Sequence, residues 1–281
     1  MKRTSRSLTT IAALTIGLFG AGSVYAAPTI VESWTYNLTA EWTAFAPNPG
    51  VSNPDSLTLQ WGNPVNVNQS SLVITNPAAD LTVNTYLGGG MPPAAFIAGA
   101  ISLTHNNFVI TGSSLSEATL TATLSLAALL PGVEPSFDLP PIQYDIQFVE
   151  TPNQAPCASP SVVPCDDIFV QLTGLLNQSF MYDFDGTGLQ EYFINIFPVS
   201  GGVLSVLSNA ECAAAGAGPG CIGFSTPENE STTLAFGFTI STRPLGQVPE
   251  PGILALLGIG LAAGAFAGRR RVASASERSA T

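Results

Sequence analysis

A recurring alternation of apolar and polar residues is the strongest constraint on what this chain can fold into. Successive side chains of a β-strand point to opposite faces, so an alternating segment bounded by turn residues predicts a half-buried strand. Strongly helical periodicity is lacking, although residues 125–132 could form one short helical turn. The pattern predicts an all-β domain over residues 27–247, an antiparallel β-sandwich of jelly-roll-like form. Twelve segments show it: SWTYNLTAEW, SLTLQWG, SLVITN, DLTVNTYL, AISLTHNNFVI, ATLTATLSL, IQYDIQFVE, DIFVQLTG, SFMYDF, QEYFINIF, GVLSVL and LAFGFTIS.

The first 26 residues have the three parts of a secretory signal peptide. Lys2, Arg3 and Arg6 provide positive charge, residues 11–24 are apolar, and small residues surround Ala26. This order predicts removal by signal peptidase after Ala26. A retained N-terminal membrane anchor is the alternative, but the apolar run is short and ends in a cleavage-type site.

A second apolar segment lies near the C-terminus. Residues 252–268 contain no charged residue and are followed by Arg269, Arg270 and Arg271. As a helix this segment would be ~25 Å long at 1.5 Å per residue, against a hydrocarbon core of about 30 Å. It therefore predicts one short C-terminal transmembrane helix, with the arginines as a stop-transfer signal and residues 272–281 as a cytoplasmic tail.

Val248, Pro249, Glu250 and Pro251 directly precede this apolar segment. A Val-Pro-Glu-Pro motif, a short apolar helix and an arginine cluster in this order resemble the PEP-CTERM sorting signal, here over residues 248–271. The resemblance implies that an exosortase, a membrane-embedded cysteine transpeptidase, recognises the Pro-Glu-Pro element and cuts nearby. Proline lacks an N–H and fixes φ, so the motif itself favours an extended, accessible backbone.

Positive charge is almost absent between the two terminal segments. Residues 27–247 contain one basic residue, Arg243, against 17 acidic residues, which gives a formal charge of −16. Nucleic acids and anionic lipids are bound through lysine and arginine, so the composition argues against both as partners. It is compatible with cation binding or with residence in an exopolysaccharide matrix.

All four cysteines, Cys157, Cys165, Cys212 and Cys221, lie in this acidic part. An even number in an exported chain indicates disulfides, and four cysteines allow three pairings. We favour the local pairs Cys157–Cys165 and Cys212–Cys221, because each closes a loop rich in Pro or Gly. A metal site is the alternative, but the chain has no Cys-x-x-Cys spacing and one histidine.

The one histidine lies in the tetrapeptide Thr104-His105-Asn106-Asn107. Together with LTLQWG upstream and PCDDIF, CIGFSTPENE and FTIS downstream, it resembles the THxN family of PEP-CTERM proteins, which has no assigned activity. A secreted hydrolase would need a solvent-facing His105 beside a serine and a carboxylate, yet no G-x-S-x-G motif occurs. We predict a structural role, in which Thr104, His105 and Asn107 tie a turn to the backbone.

Two acidic clusters are further candidate sites. Asp183, Asp185 and Glu191 offer oxygen ligands, which makes Ca²⁺ the one candidate cofactor. Half of an EF-hand pattern is absent, however, and Asp-Gly between two strands also predicts a hairpin turn. Asp166 and Asp167 are adjacent, so their side chains should point to opposite faces and not form a glycosidase pair. We expect them to be solvated or to cap a turn.

These observations predict a non-enzymatic exported protein. It would be transiently anchored in the membrane, processed by an exosortase and delivered to the cell surface or extracellular matrix, in association with exopolysaccharide or biofilm. Two alternatives remain open: a carbohydrate- or calcium-binding adhesion module, and a secreted hydrolase that uses His105.

Overall fold

The computed structural model describes residues 27–161, 163–171, 176–199 and 204–246. Within these ranges the chain forms seventeen strands, a 3-10 helix at Ala94–Phe96 and one α-helix, α1, at Asn209–Ala214. The strands are β1 Ser33–Ala46, β2 Val51–Ser52, β3 Thr58–Trp61, β4 Asn63–Pro64, β5 Ser70–Thr75, β6 Leu81–Tyr86, β7 Ala98–Asn106, β8 Ile110–Thr111, β9 Glu117–Leu130, β10 Phe137–Asp138, β11 Ile142–Val149, β12 Asp167–Gln171, β13 Gln178–Tyr182, β14 Gln190–Pro198, β15 Ser205–Val206, β16 Ile222–Thr226 and β17 Ser231–Ser241.

Fifteen of these strands form one large mixed sheet. Its main order is β15-β16-β12-β11-β9-β1-β6-β17-β7-β5-β3-β2, with β10 beside β9 and the β13–β14 hairpin joined to β17. The strands β4 and β8 form a separate pair. The predicted all-β class is confirmed, whereas the finer prediction of a jelly-roll-like sandwich stays a prediction.

One pairing in the described sheet is parallel, so the prediction of a purely antiparallel sheet is wrong there. Ile240 and Ser241 of β17 lie beside Thr85 and Tyr86 of β6 in parallel. On the other side of β6, β1 pairs antiparallel with residues 81–84. The two halves of the sheet therefore join at β6, through a contact that no local sequence pattern encodes.

The longest pairing joins β1 and β9. These strands contain 14 residues each and run from Ser33 opposite Leu130 to Ala46 opposite Glu117. Every second residue of β9 from Ala118 to Ala128 is buried, so the alternation continues into residues 125–129. The helical turn expected there is therefore wrong, because these residues continue the strand with a period of two. The inward-facing residues of the two strands are Trp34, Tyr36, Leu38, Ala40, Trp42, Ala118, Leu120, Ala122, Leu124, Leu126 and Ala128.

Aromatic rings connect strands that are distant in the sheet order. Trp61 of β3 meets Phe148 of β11 edge to face, with ring centroids 5.0 Å apart. Trp34 of β1 is fully buried, and its indole N–H donates to Thr85 Oγ1 at 2.9 Å. Four further rings surround Trp34 with centroids between 5.1 and 6.2 Å away. These contacts belong to one hydrophobic core that reaches from β3 to β11.

The second disulfide starts from the helix α1. Ser208 Oγ accepts from the Glu211 N–H at 3.2 Å, and Glu211 Oε2 accepts from the Ser208 N–H at 2.8 Å, which together form a capping box. Cys212 on this helix bonds Cys221, and Cys157 bonds Cys165. Both predicted local disulfides are confirmed.

Several predicted features lie outside the described residues. They are the signal peptide at residues 1–26, the transmembrane helix at 252–268, the arginine cluster at 269–271 and the tail at 272–281. In the described part of the chain, no helix is long and apolar enough to cross a membrane.

Leu72→Ala should lower the free energy of unfolding by about 2–5 kcal/mol, because it removes methylene groups from a site without solvent exposure and leaves a cavity. Leu189→Ala is the matched control, since Leu189 is 60% exposed, and it should change stability by less than about 0.5 kcal/mol. Urea unfolding of the two variants measures both values. Equal effects would contradict the placement of β5 in the core.

Candidate functional site

His105 lies at the centre of a buried polar cluster. It is the penultimate residue of β7, which lies between β5 and β17, and it has no solvent exposure. Its ring stacks on Trp61 at 5.9 Å with an interplanar angle of 11°. Phe148 meets the same imidazole edge to face at 4.9 Å. The imidazole is therefore enclosed by aromatic rings from β3 and β11.

Three carboxyl groups lie around these rings. Asp167, the first residue of β12, places Oδ2 at 3.8 Å from His105 Nε2. Its Oδ1 accepts from the Thr151 N–H at 2.9 Å. Glu150 comes directly after β11, and its Oε2 accepts from the Trp61 indole N–H at 2.8 Å. Glu228, in the β16–β17 connection, is 9% exposed and acts on both other carboxyls through its charge.

Burial determines the protonation of this cluster. It lowers the pKa of His105 to about 3, so the imidazole is neutral near neutral pH. Burial, and after it the charge of Glu150, raises the pKa of Asp167 to about 10. Burial also raises the pKa of Glu150, while hydrogen bonds from Trp61 and Asp167 oppose that rise. Asp167 therefore keeps its proton near neutral pH, because burial and the neighbouring Glu150 both disfavour its ionised form.

The contact between His105 and Asp167 is consequently not an ion pair. Both groups are neutral, and 3.8 Å is too long for a hydrogen bond. Among the described residues, neither ring nitrogen of His105 has a hydrogen-bond partner. Such an unsatisfied buried group costs about 1–3 kcal/mol. A hydrolase would need a solvent-facing imidazole, and the structure places this one in the core.

The structure also corrects the expectation for the two adjacent aspartates. Asp167 is 1% exposed and is neither solvated nor a turn cap, whereas Asp166 is half-buried. The cause is that β12 is covered on both faces. Ile168 packs against the cluster around Cys212, and Asp167 shares the opposite face with Phe169 of the main core.

Only part of the tetrapeptide ties to the backbone as predicted. Asn107 is fully buried, and its side-chain amide donates to the Thr226 carbonyl at 3.0 Å. Thr104 lies within β7 and shares a 2.9 Å hydrogen bond with Thr233 Oγ1 of the neighbouring strand. Asn107 therefore joins the end of β7 to the end of β16. Its histidine packs in the core and bonds to no turn.

The candidate calcium residues form a hairpin turn between β13 and β14. Asp183 Oδ1 accepts from the Gly186 N–H at 2.8 Å, and Asp185 Oδ1 accepts from the Thr187 N–H at 3.0 Å. Glu191 lies beyond the turn, in β14. One carboxylate oxygen of each aspartate therefore accepts a hydrogen bond that closes the turn. The described residues contain no group of His, Cys, Asp or Glu arranged to hold a metal ion.

The chain is held tightly where the described residues end. Leu245 is 3% exposed, and Asn177 brackets it through two hydrogen bonds. The Leu245 N–H donates to Asn177 Oδ1 at 2.7 Å, and the Asn177 amide donates to the Leu245 carbonyl at 3.1 Å. The Gly246 N–H then donates to the Gly89 carbonyl at 2.9 Å. The segment after Gly246 therefore starts from a fixed position on the folded body.

Asp167→Asn should remove most of the loss of stability that the protein shows between about pH 7 and pH 9. Unfolded aspartate ionises near a pKa of about 3.9, while the folded protein keeps this proton to about pH 10. The folded state thus binds more protons in this window, so stability falls as pH rises, by at most about 1.4 kcal/mol per pH unit. His105 titrates only at lower pH and adds no slope here.

Urea unfolding at several pH values measures that slope. Asp166→Asn is the matched control and should retain the wild-type slope, because Asp166 lies outside the buried cluster. A slope in Asp167→Asn equal to that of the wild type would contradict a protonated Asp167.

A known sorting signal matches the segment after Gly246. Residues 247–271 match the family model of the PEP-CTERM protein-sorting motif. This range contains Val248–Pro251 and the arginine cluster, all outside the described residues. No curated protein matches the chain. Membership of the THxN family stays a prediction. The chain carries a PEP-CTERM sorting signal, which implies export, a transient membrane-bound stage and recognition by an exosortase.

Proposed function

We propose that this exported protein is a non-enzymatic component of the cell surface or extracellular matrix, associated with exopolysaccharide or biofilm. The observation that carries the proposal is the sorting motif at residues 247–271, which begins directly after a fixed, folded body. Processing at the motif would free this body from the membrane. Its role would then be structural or adhesive.

The polar chemistry of the body supports a role without catalysis. His105 is the one histidine of the chain, and it is neutral and enclosed by rings. The protonated carboxyl of Asp167 lies in the same buried cluster. A general acid or base has to reach its substrate within hydrogen-bond distance, and these groups face the core instead.

Charge and covalent structure support an extracellular location. Two disulfides close local loops, as expected in an oxidising compartment. A formal charge of −16 over residues 27–247 favours a hydrated, soluble particle. We further propose that the mixed sheet folds back on itself to form a sandwich, which the contact between Trp61 and Phe148 on distant strands supports. We also propose that the body belongs to the THxN family.

Glu250→Ala should abolish processing, because it removes the charged residue of the recognition motif. In wild-type host cells, intact mass of the mature protein should lack residues 269–271. The variant should retain them and remain in the membrane fraction, as should the wild-type chain in a host without the exosortase.

Glu277→Ala is the control for that experiment. It removes a glutamate outside the matched range of residues 247–271 and should be processed as the wild type is. Retention of the three arginines on the mature wild-type protein would contradict the sorting account.

A surface groove favours carbohydrate binding as a second candidate function. The groove has a volume of about 210 Å³ and lies between the start of β11 and the edge strand β13. Pro140, Pro141 and Phe180 offer apolar faces, while Gln143 and Gln178 offer amide groups. Sugars present both apolar ring faces and hydroxyl groups, so this combination suits them. A neutral glycan segment is the ligand class that we propose.

Combined Gln143→Ala and Gln178→Ala should weaken polysaccharide binding several-fold, since each lost hydrogen bond is worth about 0.5–1.5 kcal/mol. Electrophoresis of the protein through native gels that contain host exopolysaccharide measures the retardation. Gln154→Ala, in the exposed loop before Cys157, is the control and should migrate as the wild type does. Equal retardation of all three proteins would contradict binding in this groove.

A further inference from the structure

The chain leaves the folded body along a path that backbone hydrogen bonds hold in place. After β17 the Thr242 N–H donates to the Tyr86 carbonyl at 3.0 Å, and the Gly246 N–H donates to the Gly89 carbonyl at 2.9 Å. Together with the Asn177 bracket on Leu245, these bonds fix the backbone up to the last described residue. The sorting motif therefore begins directly at the body, without a long linker between the two.

Chain length then limits how far the body can be from the bilayer. Five residues separate Gly246 from Gly252, where the uncharged segment of the sorting signal begins. Even fully extended, six steps of about 3.3–3.6 Å span roughly 20 Å. The headgroup layer alone occupies about 5–8 Å on each side of the hydrocarbon core. While residues 252–268 are inserted, the surface around Gly246 must lie within about 15 Å of the headgroup layer, close enough to touch it.

Exposed apolar side chains lie next to this exit. Leu87 comes directly after Tyr86, and Met91 lies two residues after Gly89; they are 56% and 60% exposed. Both belong to the connection between β6 and β7, residues 87–97, which contains no charged residue. Side chains of this kind gain free energy when a membrane interface removes them from water.

The N-terminal side of the body enters at the same end of the sheet. Ser33, the first residue of β1, is paired with Asn84 of β6. The Glu32 carbonyl accepts from the Thr85 N–H at 2.8 Å. Both ends of the folded body therefore lie beside the last residues of β6, within the reach of the inserted tail.

Charged side chains at this end favour one side of it for contact with lipid. Arg243, the one Lys or Arg of residues 27–247, is exposed and lies within the exit segment. On the other side of β17, the β13–β14 turn carries Asp183 and Asp185. Hydrogen bonds from Thr187 and Thr29 lower the pKa of Asp185, so this carboxylate stays ionised. Lipid phosphates attract the arginine and repel the turn, so the body should tilt with residues 87–91 toward the bilayer.

We propose that the exit surface, defined by Leu87, Met91 and Arg243, rests on the lipid headgroups of the bilayer in which residues 252–268 are inserted. The proposal depends on that membrane-bound stage of sorting and adds a defined orientation to it. Leu87 and Met91 enter the interface, while Arg243 contacts headgroup phosphate.

Depth-sensitive tryptophan fluorescence tests this orientation. The full chain, purified from a host without the exosortase, is reconstituted into phosphatidylcholine vesicles whose acyl chains carry bromine near the headgroup. Bromine quenches only tryptophans that it contacts. Met91→Trp should lose most of the fluorescence that it adds to the wild-type signal, since the three native tryptophans are buried. Leu87→Gln in the same chain should reduce this quenching.

Two exposed positions are matched controls. Val67 is 85% exposed and lies near Ser70, at the opposite end of the sheet; β17 covers about 33 Å between the two ends. Leu189 is 60% exposed on the acidic turn. Neither Val67→Trp nor Leu189→Trp should be quenched. Equal quenching at Met91 and at either control position would overturn the proposal.

A probe in the tail separates this proposal from the sorting account. Phe266→Trp should be quenched whenever the tail is inserted. Quenching at Phe266 without quenching at Met91 would overturn docking alone, and absence of both would overturn docking together with membrane insertion. Quenching at Met91 that needs added exosortase would mean that the surface binds this protein and not lipid, which also overturns the proposal.

Discussion

The near absence of positive charge between residues 27 and 247 constrains everything else in the structure. Seventeen acidic residues share one arginine, so carboxylates cannot be buried as ion pairs. The close contact between His105 and Asp167 in the described part is neutral on both sides. Each buried carboxyl instead relies on a proton or a neutral donor. Glu150 accepts from Trp61, Asp167 accepts from a backbone N–H, and Glu211 closes a capping box. Cohesion must then come from alternating apolar strands and two disulfides.

This constraint gives the body two chemically different ends, which β17 connects. Near Ser231 lie the fastened tetrapeptide, the buried imidazole of His105 and the buried, protonated carboxyl of Asp167. Near Ser241 lie both ends of the folded body, the exposed Arg243 and the uncharged connection of residues 87–97. The first end contributes stability, because its polar groups face the core. The second end is the one that the sorting signal holds at the membrane, and it is where the structure offers contacts suited to lipid.

The features that depend on neighbouring residues in the sequence, namely the strands and the local disulfides, could be predicted from the sequence. Alternation correctly predicted the long strands, and loop composition correctly predicted both disulfides. The helix α1 was missed although Ser208-x-x-Glu211 is a capping-box signature that the sequence displays. Glu150 continues the inward series of Tyr144, Ile146 and Phe148, so alternation along the strand also predicts that its side chain points inward. The parallel β6–β17 contact and the meeting of Asp167 with His105 could not be predicted, because both depend on which distant strands become neighbours.

The central claim is that charge and the sorting signal place an acidic, disulfide-bonded body on the outer side of the membrane. Protease treatment of intact host cells, combined with labelling by a membrane-impermeant maleimide before and after lysis and mass spectrometry, tests it most directly. We expect external protease to digest the body, and we expect all four cysteines to stay unlabelled, before and after lysis, until a reductant is added. A body that external protease cannot reach, and whose cysteines are labelled after lysis without reductant, would contradict the account.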